Sequence, residues 1–168
     1  MWGSSRERSV LTFCFFGDKP SLDPPFPNRV WKIHPFMFIG EYTHTLDEKG
    51  RLAIPIKFRQ DLKKGAVITR GLDSSLFLFT RGEWDKLAVK LASLPLGQAN
   101  SRAFARLMLA GAMDAELDKQ GRVVLPEYLR TYAKLQKTIV VAGLYTRIEI
   151  WDETVWQKIL ERYQFNAI

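Results

Sequence analysis

Two stretches of this chain hold the residue types that could do chemistry. Leu46-Asp47-Glu48-Lys49-Gly50-Arg51-Leu52-Ala53-Ile54-Pro55 returns as Leu117-Asp118-Lys119-Gln120-Gly121-Arg122-Val123-Val124-Leu125-Pro126. In each copy an Asp stands four residues before an Arg, and a Gly directly precedes the Arg. A neighbouring guanidinium favours the ionised carboxylate, which argues against Asp47 or Asp118 as a general acid. Two readings of the pair remain. Either the charges pin the loop, with Asp47, Gly50, Asp118, Gly121 and Arg122 as structural parts, or the tip offers Lys49 and Arg51 to an anion, with Lys57 and Arg59 just beyond extending a basic cluster. The second copy has Glu127 and Tyr128 where the first has Ile56 and Lys57, and keeps only Lys119, Arg122 and Arg130. The first turn is therefore expected to make the contact and the second to serve structure.

Other chemistry finds little support. His34 and His44 are the only histidines, and neither has the neighbours of a catalytic triad or a metal-binding helix. His44 is expected to be a strand histidine satisfied by hydrogen bonds. No Gly-rich phosphate loop precedes a helix. A single cysteine, Cys14, offers neither a disulfide within this sequence nor a multi-cysteine metal site. The expectation is a non-enzyme without cofactor or metal.

The elements that position the two turns follow from the repeat. Gly supplies a positive φ and Asp can bond its own backbone two residues on, so each motif is a turn between strands. Pro55 and Pro126 end the outgoing strands because proline has no N–H to donate. The match continues through Arg59/Arg130 and, with one extra residue, Leu76/Ile148, Phe79/Trp151 and Trp84/Trp156, an internal duplication of about 70 residues. Each unit reads strand, turn, strand, short helix, strand, turn, strand. The short helices are expected over Lys57 to Lys63 and Glu127 to Lys134. Thr80 and Asp152 are N-caps for the helices that carry Trp84 and Trp156, both read as core. A further helix is expected over Ser101 to Met113, with Phe104, Leu107, Met108 and Gly111 on one face and Arg102 and Arg106 on a solvated side. The divisions are 37–83 for the first unit, 84–111 for connecting helices, 112–155 for the second unit and 156–168 for a terminal helix and tail. Halves of about 45 residues are too small to stand alone, so they should share a core.

Residues 1–36 hold five of the eight prolines and no lasting periodicity. Their apolar patch, Val10 to Phe16, runs into Gly17-Asp18-Lys19-Pro20 rather than a cleavage site of small residues, which speaks against a secretory signal. Removing them takes away five cations and three carboxylates, leaving +5 of the net +7, so the basic character belongs to the repeats. A basic balance fits nucleic acid or an anionic surface as a partner. No apolar run approaches the roughly 18 residues that cross a membrane.

The doubled Leu-Asp-x-x-Gly-Arg-aliphatic-x-aliphatic-Pro motif, with the opening Met37-Phe38-Ile39-Gly40-Glu41-Tyr42 and the closing Glu149-Ile150-Trp151-Asp152, resembles the MraZ family of bacterial DNA-binding regulators, which carry tandem SpoVT/AbrB-like domains. The resemblance spans roughly Met37 to Tyr163. It implies a mainly β fold with short helices (α+β), in which tandem swapped-hairpin AbrB-like units close into a double-ψ-like barrel with pseudo-twofold symmetry. It implies a ring-shaped homo-oligomer, cytoplasmic and nucleoid-associated, that binds double-stranded DNA at promoter direct repeats and regulates, as a repressor, the division and cell-wall gene cluster including its own promoter. No membrane or small-molecule substrate is implied, and residues 1–36 become a disordered or spurious extension ahead of a start at Met37. On this reading Lys49, Arg51, Lys57 and Arg59 are the DNA-binding residues, since a β-hairpin fits the major groove, arginine pairs with guanine and lysine neutralises phosphate. Two rivals stand beside it: a protein-interaction or antitoxin-like use of the same barrel, and an enzyme on a double-ψ-like barrel, against which the lack of His, Cys or paired free carboxylates counts.

Overall fold

Short runs of β-branched and aromatic residues between turns shape the repeat, and the described residues form eight strands. The computed structural model describes residues 37–165, with side chains through 162; the expectations for residues 1–36 lie outside the described residues. The order is β1 (Phe38–Thr45), β2 (Arg51–Ala53), α1 (Ile56–Leu62), β3 (Ala66–Arg70), β4 (Leu76–Thr80), α2 (Arg81–Ala92), α3 (Ala99–Leu109), β5 (Met113–Ala115), β6 (Arg122–Val124), α4 (Glu127–Tyr132), β7 (Thr138–Tyr145), β8 (Arg147–Asp152) and α5 (Glu153–Phe165).

All pairings among the described residues are antiparallel, and strands of the two halves interleave. A six-stranded sheet runs β1-β7-β8-β4-β3-β5, and β2 pairs with β6 in a separate two-stranded ribbon. Exchange each strand for its repeat partner (β1 with β5, β2 with β6, β3 with β7, β4 with β8) and the order reads the same backwards. The registers agree: the ribbon is centred on Leu52 opposite Val123, and the β4–β8 ladder places Phe77 opposite Glu149, its equivalent in the repeat. The chain is thus pseudo-twofold at the level of single residue pairs.

The expected closed barrel does not form. The large sheet is open, with β1 and β5 at its edges. Pro55 and Pro126 leave β2 and β6 only three residues each, too short to link those edges into a continuous ladder. The halves are joined by the β1–β7, β3–β5, β4–β8 and β2–β6 ladders and by the side chains packed between them. Phe38, Leu52, Ile54, Phe58 and Leu78 of the first half share one core with Val123, Leu125, Leu129, Ile139 and Ile148 of the second, so the main core belongs to both halves.

β4 is buried along its whole length because both its faces are covered. Leu76 and Leu78 face the shared core, while Phe77 and Phe79 face a second cluster with Val67, Trp84, Leu91 and Met108 beneath α2 and α3. The Thr80 hydroxyl caps α2 by accepting the Glu83 N–H (3.3 Å). α3 stops at Leu109, short of the expected Met113: the Thr69 hydroxyl takes the Met108 carbonyl (2.6 Å), and Met113 already pairs with Ile68 in β5. Trp84 is core as expected. Trp156 is only half-buried against Trp151, because α2 has α3 packed on it and α5 has no such helix among the described residues.

Candidate nucleic-acid interface

Each turn is built around its aspartate. Asp47 Oδ1 accepts the backbone N–H groups of Lys49 (3.0 Å) and Arg51 (2.8 Å), and Oδ2 accepts Arg51 Nε (2.6 Å). Asp118 does the same with the N–H groups of Gln120 (2.8 Å) and Arg122 (3.0 Å) and with Arg122 Nε (2.8 Å). Gly50 and Gly121 sit at φ +72° and +77°, where a β-carbon is strained. The bonds hold the Asp47 carboxyl below the ordinary carboxylate range and that of Asp118 down to about 2, in both cases chiefly through the arginine's backbone N–H. Both stay ionised as turn locks, and the pinning of each loop by its Asp–Arg pair is direct geometry.

The ribbon orients the arginines. Leu52 and Val123 point into the core, so their neighbours Arg51, Ala53, Arg122 and Val124 share the outer face of a two-stranded antiparallel ribbon. Arg51 stands opposite Val124 and Arg122 opposite Ala53, one arginine near each end. Their side chains are 32% and 26% exposed, so each holds its own aspartate without being sealed in. The turn geometry does not separate a reading turn from a structural one.

The four residues expected to form one basic cluster are separated, because the hairpins are interleaved. Lys49 is exposed at the first turn and Arg51 stands beside it on the ribbon. Lys57 turns away: its Nζ donates to the Ile39 carbonyl and lies over the rings of Tyr42 (4.8 Å) and Phe58 (5.1 Å). Arg59 crosses to the other half. Its Nε donates to the Ile54 carbonyl (2.6 Å), and its side chain lies where a β-carbon on Gly121 would be. Arg130 returns the arrangement over Gly50, with its Nε buried and without a hydrogen-bond partner. Backbone bonds complete the exchange, Leu125 N–H to the Gly50 carbonyl (2.7 Å) and Ile54 N–H to the Gly121 carbonyl (3.0 Å). The first turn therefore neighbours α4 and the second neighbours α1.

That exchange exposes what the sequence reading missed. Lys63, read only as a helix residue, lines a cleft with Arg59, Gln60, Asp118 and Lys119. The signal was the antiparallel match of β2 with β6 rather than with a strand of its own unit, which local spacing does not specify. His44 departs from expectation too: its Nε2 is buried with no partner, and burial, then the nearby Arg59 charge, hold its pKa below the usual value. Arg102 donates to the Leu96 carbonyl (2.6 Å) on the surface, where a solvated helix face was expected. No group of three or more His, Cys, Asp or Glu that could hold a metal occurs among the described residues, and no helix among them is long and apolar enough to cross a membrane.

Fold and site together define a duplicated, strand-interleaved α+β protein whose outer ribbon carries two aspartate-locked arginines. The family described as "MraZ protein, putative antitoxin-like" matches residues 37–107 and again 108–167. Among relatives named "Transcriptional regulator MraZ", that of Roseiflexus castenholzii is 48% identical over 131 residues, 78% of this chain and 92% of the relative. That of Carboxydothermus hydrogenoformans is 50% identical over 120 residues (71% and 84%), and that of Herpetosiphon aurantiacus 51% over 131 residues (78% and 92%). The chain belongs to the MraZ family.

Proposed function

We propose that this protein is a transcriptional regulator that reads double-stranded DNA with the outer face of the β2–β6 ribbon. The observation that carries the reading is the placement of Arg51 and Arg122 on one exposed face of a structure narrow enough for the major groove, each oriented by a carboxylate that accepts its Nε. Arg51 meets its carboxylate through Nε, which turns its outer nitrogens toward the paired acceptors of guanine; Arg122 also places Nη2 2.7 Å from Asp118 Oδ2 and offers chiefly Nη1. Lys49 adds phosphate contact at the tip. Lys57, held over Tyr42, and Arg59, held against the second turn, support the ribbon and its charge rather than read bases.

The names carried by the relatives support regulation of transcription. The rest is this reading's finer content: sequence-specific repression at direct repeats in the promoter of a division and cell-wall gene cluster that includes its own gene, with the AbrB-like units at 37–83 and 112–155. A single ribbon binds weakly at physiological salt, and a ring-shaped homo-oligomer placing several ribbons on spaced repeats raises avidity by geometry. The working place of such a protein is the cytoplasm, on the nucleoid.

Arg51→Ala tests the assignment. It should cost on the order of 1–3 kcal/mol of binding to the DNA upstream of the protein's own gene, with the oligomer unchanged in size. Wild-type affinity in a gel shift against competitor DNA would remove the ribbon from the role.

A further inference from the structure

The two turns are alike, but their surroundings are not. Around the second turn, α1 and the residues entering the turn line adjoining clefts with Arg59, Lys63, Lys64 and Lys119 against Asp118 and Glu116, a net +2. The positions 71 residues away, around the first turn, carry Arg130 and Lys134 against Asp47, Glu48 and Glu127, a net −1. A fold that is pseudo-twofold in its backbone is therefore strongly polarised in charge across the same axis.

The polarity follows from the interleaving. Had each short helix packed on its own unit's turn, basic α1 would lie beside Glu48 and acidic Glu127 beside Lys119, and the difference would largely cancel. Instead Arg59 reaches across to Gly121 and places α1, with Lys63 and Lys64 at its end, beside the more basic turn. Asp118 does not offset this locally, because its charge is taken up by Arg122, 2.7 Å from its carboxylate. Lys63 and Lys119 are exposed, with their ammonium groups available at the cleft.

We propose that the cleft between α1 and the second turn holds backbone phosphates of the duplex whose major groove receives the β2–β6 ribbon, and so fixes the direction in which the ribbon lies. This rests on the reading of the ribbon as a DNA reader. A ribbon in the groove has its ends against the two phosphate walls; the Lys119 end adds the cleft cations Arg59, Lys63 and Lys64, while at the other end the tip cation Lys49 stands with Glu48 and Glu127. Symmetric arginines on a symmetric ribbon would accept a half-site in either direction. An anchoring cleft at one end makes one direction preferred, which is the property a protein needs to bind repeats that all point the same way.

Salt dependence measures it. Fluorescence anisotropy on the full chain uses the duplex from upstream of its own gene and an unrelated duplex of the same length. Each lost phosphate contact lowers the slope of log K against log salt by about 0.9, so the double variant Lys63→Gln, Lys119→Gln should flatten it by about 1.8 per bound protomer on both duplexes, with their affinity ratio kept. Lys134→Gln, in the opposite half, should leave the slope as in wild type. A wild-type slope in the double variant, or an equal flattening by Lys134→Gln, overturns the anchoring cleft; if Arg51→Ala still erases the preference between duplexes, the ribbon reading survives that result. Failure of the wild-type protein to distinguish the two duplexes overturns the ribbon reading and the cleft with it.

Discussion

The first and second turns agree bond for bond and differ in everything around them. Both aspartates accept two backbone N–H groups and one arginine Nε, and both glycines occupy the left-handed region. Yet the first turn is braced by Arg130 and flanked by Glu127, and the second is braced by Arg59 and flanked by Lys63. The difference teaches that duplication preserved the backbone device, because each turn needs the other half's strand to satisfy it, while surface charge was left free to diverge.

The mutual dependence is the first thing to break. Leu52 is fully buried at the centre of the ribbon and belongs to the shared core. Leu52→Ala should cost about 2–5 kcal/mol, and residues 37–165 should unfold in one transition, because β4 carries the shared core on one face and the second cluster on the other, so opening one exposes both. Two separated transitions in denaturant titration would mean that the halves fold independently.

The two arginines sharpen the comparison next. Their similar exposure and matching carboxylate partners predict that Arg51→Ala and Arg122→Ala each lose on the order of 1–3 kcal/mol of specific DNA affinity. Competition gel shifts decide it. Loss for Arg51→Ala alone, with lowered thermal stability for Arg122→Ala, would return the second turn to the purely structural role its sequence suggests.

How far the sequence revealed this molecule depended on whether a feature is local. The turns, their terminating prolines, the Thr80 cap and the shared core were legible, because Asp-x-x-Gly-Arg-x-x-x-Pro specifies its own bonding and the halves are too small to stand apart. What was not legible is which half each element packs against. Lys49, Arg51, Lys57 and Arg59 lie within eleven residues of sequence and read as one patch, but β2 pairs with β6, and that pairing carries Arg59 to the opposite turn. Trp156 departs from a core role for a related reason: it matches Trp84 in the repeat, but among the described residues Trp84 alone has a helix like α3 behind it. At the twofold position itself the repeat substitutes Glu149 for Phe77, and the buried carboxylate is stabilised by Arg147 Nε (2.9 Å) and Trp151 Nε1 (3.1 Å), partners no spacing rule would have nominated.

The glycines should show a smaller difference. Both replacements by alanine incur the left-handed strain of about 1–2 kcal/mol. At Gly50 the new β-carbon would lie 2.9 Å from the Leu125 carbonyl, a backbone atom that accepts no easy displacement, whereas at Gly121 it meets the Arg59 side chain, which can swing into solvent. Gly50→Ala should therefore unfold at lower temperature than Gly121→Ala. The opposite order of melting temperatures would show that the Arg59 brace matters more than the backbone contact.

The smallest effect lies in acid. Both turn carboxyls are lowered, Asp118 to about 2 from an ordinary value of 3.8, through hydrogen bonds that exist only in the folded chain. A carboxyl depressed by folding contributes stability that is complete above its unfolded pKa and disappears as pH falls through the folded value. For Asp118 that window runs from about pH 4 down to about pH 2. Asp118→Asn keeps an oxygen for the Gln120 and Arg122 N–H groups but cannot titrate, so its stability should change less than that of wild type between pH 5 and pH 2.5. Urea unfolding at those two pH values gives the comparison, and Asp47→Asn, run beside it, tests whether the first turn shares the response. Parallel loss of stability in wild type and Asp118→Asn would mean that other carboxyls carry the acid limb and that the second turn's lock is held by geometry rather than charge.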